Sequence, residues 1–219
     1  MRSTEAVDFE SLPTPPARDL NESQVLALYE ALQQRGSFRL RDSALVVVLA
    51  HGLRANEVEQ LDVGHYDGVR LHIRQAKADS TGTVPLSRQA RKILDEYLES
   101  CLATDNALSA DAPLFVTLAP NCPGQRLKYK GIYRVVKTLG AIAEIPNLTP
   151  HRLRHTFATN LLLWGMDSLH ARTLTRHKSE GSFKRYAKRA MQAAAERAYY
   201  EAIGEDCPEE RQTEIFNAE

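Results

Sequence analysis

A chain of 219 residues is long enough for one good-sized domain with a real core, or for two small ones. Its 28 Lys and Arg offset 28 Asp and Glu, so it carries no formal net charge, and that balance argues mildly against a nucleic-acid binder. The longest apolar run, residues 44–50, falls far short of the ~20 residues that span a bilayer, and residues 1–20 hold no apolar signal core. Cys101, Cys122 and Cys207 are scattered without metal-ligand spacing, which points to reduced thiols in a cytoplasmic protein with no membrane span.

Along the chain, residues 1–20 contain Pro13, Pro15 and Pro16 without periodicity and read as a linker or disordered arm. Asn21 is a good N-cap for a helix running to about Gln34, ahead of Gly36. Residues 40–51 form a deeply buried helix stopped by Gly52, and a short helix covers residues 56–61. Residues 69–74 alternate apolar and polar as a half-buried strand, with residues 83–86 as its antiparallel partner. Ser87 caps a helix to about Leu102, and residues 104–125 are mostly loop around the apolar Leu114-Phe115-Val116. Helices are expected over residues 129–143, 150–164, 167–175, 179–188 and 188–203. The fold class is α+β, a mostly helical domain over residues 21–203 with a small antiparallel sheet, followed by an acidic tail at 204–219.

The zero net charge hides a split. Residues 151–192 carry nine Lys and Arg against Asp167 and Glu180, whereas residues 193–219 carry Arg197 and Arg211 against eight acids. A basic working surface followed by an acidic segment is the reading this asymmetry supports, with solvated helix faces as the plainer one.

The basic stretch coincides with the densest cluster of chemically capable side chains. His151-Arg152-Leu153-Arg154-His155-Thr156-Phe157-Ala158-Thr159 is followed by His177 and, nine positions on, by Tyr186. Upstream, Gly52-Leu53-Arg54-Ala55-Asn56-Glu57 follows the buried helix, and Lys77 stands between the two predicted strands ahead of Val84-Pro85-Leu86. This pattern resembles the signature boxes of the tyrosine recombinases, the phage-integrase-type enzymes that cut and rejoin DNA, over roughly residues 21–189. The resemblance implies a catalytic domain in which Arg54, Lys77, His151, Arg154, His177 and Tyr186 form the active site.

The residue types suit phosphoryl transfer. A phosphodiester under attack gathers negative charge on its non-bridging oxygens, and guanidinium groups stay charged and bind two oxygens at once. The resemblance assigns that clamp to Arg54 and Arg154, with His177 as a third donor; prearranged donors of this kind contribute ~3–4 kcal/mol each. Tyr186 is then the nucleophile, His151 the acid/base and Lys77 the general acid for the departing 5′-oxygen. The product of cleavage is a 3′-phosphotyrosyl intermediate, reached with no metal, no cofactor and no ATP. The implied partner is double-stranded DNA, with a homotetramer forming on it and weak or no self-association without it.

Rival readings remain at this level. A type IB topoisomerase uses the same chemistry, although the short chain and the spacing between the boxes favour a recombinase. A catalytically silent DNA-binding relative is kept open by Arg176, which stands where family members commonly have Gly. A hydrolase using His151, His155 and His177 as metal ligands lacks a Glu in the HExxH position. Isolated histidines usually brace their helix, and His155 is read that way. Family members also carry a separate DNA-gripping domain, and residues 1–20 resemble the linker to one. DNA affinity is therefore expected to be low and to weaken with salt. Residues 187–203 read as a helix that either docks on a neighbouring subunit or folds back over the basic face.

Overall fold

The computed structural model describes residues 19–74, 81–105, 108–118 and 122–177, together with Phe183, Gln192, Ala195, Glu196 and residues 198–205. Helix α1 (Glu22–Gln33) starts where the sequence indicates: the Asn21 side chain accepts from the Gln24 N–H at 2.8 Å, and Gln24 Oε1 accepts from the Asn21 N–H. Leu20 also belongs to the packed body, since its N–H donates to Thr156 Oγ1 at 2.8 Å and its side chain is buried.

Helix α2 (Arg39–Ala50) is the centre of the molecule. Residues 44–49 are all buried, and the helix packs against α1, α3 (Ala55–Glu59), α4 (Arg88–Asp105), α5 (Tyr129–Ile142) and α6 (Pro150–Leu163). Its first turn is fixed by a fully buried carboxylate. Asp42 accepts from Arg35 Nε at 2.7 Å and from Arg41 Nη2 at 2.6 Å, and both guanidiniums lie over the Phe38 ring. A buried charge of this kind is tolerable only when paired and hydrogen-bonded, as here.

The end of α2 aims the first box of the motif. His51 Nδ1 lies 2.7 Å from the Val47 carbonyl, so it is the protonated nitrogen, and Nε2 accepts from the Ser87 N–H. Gly52 then reverses the chain at φ +83°, with a Cβ at this position falling 2.6 Å from Phe157 Cδ1 of α6. Only glycine meets both demands. Gly52→Ala is expected to cost about 2–4 kcal/mol through strain plus overpacking, read as a shift in the urea midpoint.

Strands β1 (Arg70–Ile73) and β2 (Gly82–Pro85) pair antiparallel, with Leu71 opposite Val84, and bury Leu71, Ile73 and Val84 on the main core. Helix α6 opens on Thr149, whose Oγ1 accepts from the Arg152 N–H, with Pro150 in the first turn. This helix joins two cores. Leu153 belongs to the main one, whereas Ala158, Leu161 and Leu162 form a smaller cluster with Ala171 of α7 (Ser168–Leu174) and with Phe183. That second cluster holds the segment carrying His177 against the body.

The expected helix at 179–188 lies outside the described residues except for Phe183, which is helical and buried. Within 188–203, the described residues Gln192, Ala195, Glu196 and 198–203 are helical. Among the described residues no helix is long and apolar enough to cross a membrane.

Candidate active site

Arg54, His151, Arg154 and His177 arrive from three stretches of chain that the fold stitches together. Arg54 stands at the N-cap of α3; its backbone N–H and Nη1 donate to the Glu57 carboxylate at 2.8 and 2.6 Å, and Nη2 donates to the Arg176 carbonyl at 2.7 Å. Arg154, one turn into α6, donates from Nη1 to the Gly52 carbonyl and from Nη2 to the Thr175 carbonyl. The two arginines thus grip the two carbonyls that immediately precede His177. His151 is exposed on the first turn of α6 and shares a cleft of about 310 Å3 with Arg54, Arg154, Tyr129 and Tyr133.

Glu57 is the charge that allows three guanidiniums to sit together. It is 3% exposed and accepts from Arg176 Nη2 at 2.7 Å as well as from Arg54, with Arg154 Nη1 at 3.9 Å. Burial alone would raise its carboxyl pKa. The hydrogen bond and charge of Arg176, together with the hydrogen bonds from Arg54, outweigh burial and hold it below the ordinary carboxylate range. Glu57 appears in the sequence motif, but its part as the shared counter-ion is visible only in the fold.

Arg176, the departure from the usual Gly, keeps the backbone conformation that suits glycine, at φ +53°. Its guanidinium is buried and donates to Glu57, to the Leu174 carbonyl at 2.9 Å and to the Gly52 carbonyl at 3.1 Å. Those bonds compensate the strain and keep the turn in shape, so the substitution adds a structural clamp. The turn still aims His177, whose ring lies 5.5 Å from that of Phe183. Burial, followed by the charges of Arg154, Arg54, His151 and Arg176, pushes the His177 pKa down to about 4, so its imidazole is neutral near pH 7 in the free protein.

Lys77 and Tyr186 lie outside the described residues. The strands that flank Lys77 do reach the site: a Cβ on Gly82, the first residue of β2, would lie 3.3 Å from Arg176 Cδ. His155 is half-buried with its ring edge-on to His151 at 6.3 Å. Among the described residues no three His, Cys, Asp or Glu side chains converge as metal ligands, so His151, His155 and His177 do not form such a set.

Among the described residues of the basic stretch at 151–192, Arg152, Arg154, Arg172 and Arg176 are buried or half-buried. Arg154 and Arg176 face inward, and Arg152 ties α6 to the Pro146 carbonyl at 2.7 Å and to Gln24 of α1. Among the described residues, α5 presents exposed cations beside the cleft. Lys130, Arg134 and Lys137 are exposed at helical spacing, beside the stacked rings of Tyr129 and Tyr133 at the mouth of the cleft. The signal was present in the sequence, because residues 112–143 contain five Lys and Arg and no acid.

The fold agrees with comparison to known proteins. The model of the phage integrase family matches residues 18–193. The chain belongs to the phage integrase family. Tyrosine recombinase XerC from Herpetosiphon aurantiacus is 33% identical over 179 residues, covering 80% of this chain and 57% of the relative. Tyrosine recombinase XerD from Xanthomonas campestris pv. campestris is 32% identical over 204 residues, covering 86% of this chain and 60% of the relative. The chain therefore spans just over half the length of the curated relatives it matches. Among solved structures, XerA recombinase superposes with a TM-score of 0.68 at 27% identity, over 88% of this chain and 66% of that one. XerH site-specific recombinase bound to its difH substrate shares the fold, with a TM-score of 0.65 at 22% identity over 83% of this chain and 52% of that one. The α+β architecture of this integrase-family chain is thus that of a tyrosine recombinase catalytic domain.

Proposed function

We propose that this chain is the catalytic domain of a site-specific DNA recombinase or integrase that cuts and rejoins strands through a 3′-phosphotyrosyl intermediate. The observation that carries the reading is the stitching of residues 52–57, 151–154 and 175–177 into one cationic site by Arg54 and Arg154. Arg54, 37% exposed and opening on the cleft, is the first guanidinium a phosphate meets; Arg154 completes the clamp from below. His177 is the third phosphate ligand and His151, exposed at the cleft, the acid/base. Tyr186 is the nucleophile and Lys77 the general acid that protonates the 5′-oxygen. Guanidiniums supply the charge compensation, and the phosphotyrosyl link conserves the bond energy, so the step is written without metal or ATP. Residues 21–203 make up this domain, with Leu20 packed onto it, the residues before Leu20 as a linker or arm and 204–219 as an acidic tail. Double-stranded DNA is its partner, and a homotetramer on DNA its working assembly.

The test is a nicked suicide duplex offered to wild type and to Tyr186→Phe in the presence of EDTA. Covalent adduct from wild type alone supports the reading. DNA binding without adduct from either supports a silent DNA-binding relative instead.

The α5 cations are assigned to the DNA backbone. Lys130→Ala and Arg134→Ala are each expected to weaken duplex binding and to flatten the slope of log affinity against log salt by ~1 for each phosphate left without its cation. Anisotropy titrations over a salt series measure this; an unchanged slope places the DNA elsewhere.

A further inference from the structure

A buried hydroxyl, that of Thr175, lies against the imidazole of His177. Thr175 is fully buried at the C-cap of α7. Its Oγ1 lies 2.7 Å from the Ala171 carbonyl, 3.2 Å from the Arg172 carbonyl and 2.7 Å from His177 Nδ1. A carbonyl oxygen only accepts, and a hydroxyl has a single proton to give. Two oxygens this close without a hydrogen between them repel, so the Thr175 proton is committed to the helix carbonyls. His177 Nδ1 must then donate to Oγ1. In a neutral ring, a proton on Nδ1 leaves Nε2 as an acceptor; Nε2 donates only when the ring is an imidazolium.

We propose that Thr175 is a positioning residue that fixes His177 as its Nδ1–H tautomer, so that ligation of the scissile phosphate by His177 brings a proton onto Nε2. The identity of the ligand rests on the recombinase reading; the tautomer does not. Among the described residues, the ring feels the charges of Arg54 at the start of α3, His151 and Arg154 on α6 and Arg176 in the turn after α7, and it lies near the apolar ring of Phe183. With the site empty, these cations oppose a second proton on His177. A phosphate anion seated among them offsets that repulsion and accepts the Nε2–H bond, which raises the His177 pKa. Binding therefore takes up a proton, and the contribution of His177 to affinity falls as pH rises through the pKa of the bound state.

The side-chain 15N shifts of His177 in the labelled full chain at neutral pH test the first half. Expected are the neutral Nδ1–H pattern in wild type and in Thr175→Ser, which keeps the hydroxyl, and the Nε2–H pattern in Thr175→Val. An Nε2–H wild type, or an unchanged Nδ1–H pattern in Thr175→Val, overturns the proposal; the wild-type pattern decides by itself where Thr175→Val fails to fold. Calorimetry with a duplex oligonucleotide, in two buffers of different ionisation enthalpy, tests the second half. Proton uptake is expected to be smaller in Thr175→Val than in wild type by about one proton, and equal uptake overturns the linkage. Failure of the recombinase reading shows separately, as the absence of a covalent adduct with the tautomer unchanged.

Discussion

Replacing Glu57 by Gln is expected to destabilise the protein by ~3–5 kcal/mol, a large share of the 5–15 kcal/mol that holds a domain of this kind together. The cost comes from what remains. Arg154 and Arg176 are 3% and 9% exposed, and without Glu57 their charges stay buried against carbonyl oxygens, with the shared carboxylate gone. Breaking a buried pair from one side costs more than the pair contributes, because the remaining charge cannot return to water. The same logic predicts partial rescue. Glu57→Gln with Arg176→Met removes the buried charges on both sides and should recover part of the loss, seen as a coupling energy in a double-mutant cycle by urea denaturation. A Glu57→Gln protein within ~1 kcal/mol of wild type, the worth of an exposed pair, is incompatible with a desolvated cluster.

The two clamp arginines are expected to fail in different ways. Arg54→Ala and Arg154→Ala should each slow formation of the covalent adduct by ~100- to 1000-fold, the scale of losing one prearranged donor to the transition state. Their stabilities should diverge. Arg54 is 37% exposed, and without it Glu57 is still held by Arg176 with Arg154 nearby, so the fold loses little. Arg154 is buried and its two backbone bonds join the end of α2 to the end of α7, so its removal opens the site as well as discharging it. Single-turnover adduct formation, set beside thermal unfolding of the same variants, separates the two. Equal thermal losses from both contradict this division of labour.

The parts of this architecture that were legible in the sequence are those encoded locally. Asn21 and Ser87 mark helix starts through their own side chains, and Gly52 marks a turn that no other residue can make. The alternation at residues 69–74 located β1, and the unbroken apolar run at 44–50 located the central helix. Boundaries moved by a few residues: α4 continues to Asp105, past the expected end at Leu102, because nothing in that stretch stops a helix.

What the sequence could not show is which charges turn inward. Arg152, Arg154 and Arg176 look alike in a count of basic residues, yet one clamps a loop to α1 and two lie beneath the site. Those fates depend on partners such as Glu57 and Gly52, more than a hundred residues away from Arg176. Local periodicity carries no information about such pairings. The acid-free run at 112–143 was the opposite case. Its signal is local, and three of its five cations, Lys130, Arg134 and Lys137, stand exposed on α5.

The measurement that bears most directly on the proposed chemistry is identification of the residue that carries DNA in the trapped adduct. Wild-type protein reacted with the suicide duplex is digested, and the nucleotide-linked peptide is sequenced by mass spectrometry. Expected is a peptide with the nucleotide joined through its 3′-phosphate to Tyr186. A nucleotide on Tyr199 or Tyr200, or DNA cleaved with no tyrosine linked to it, contradicts the assignment of Tyr186 as the nucleophile.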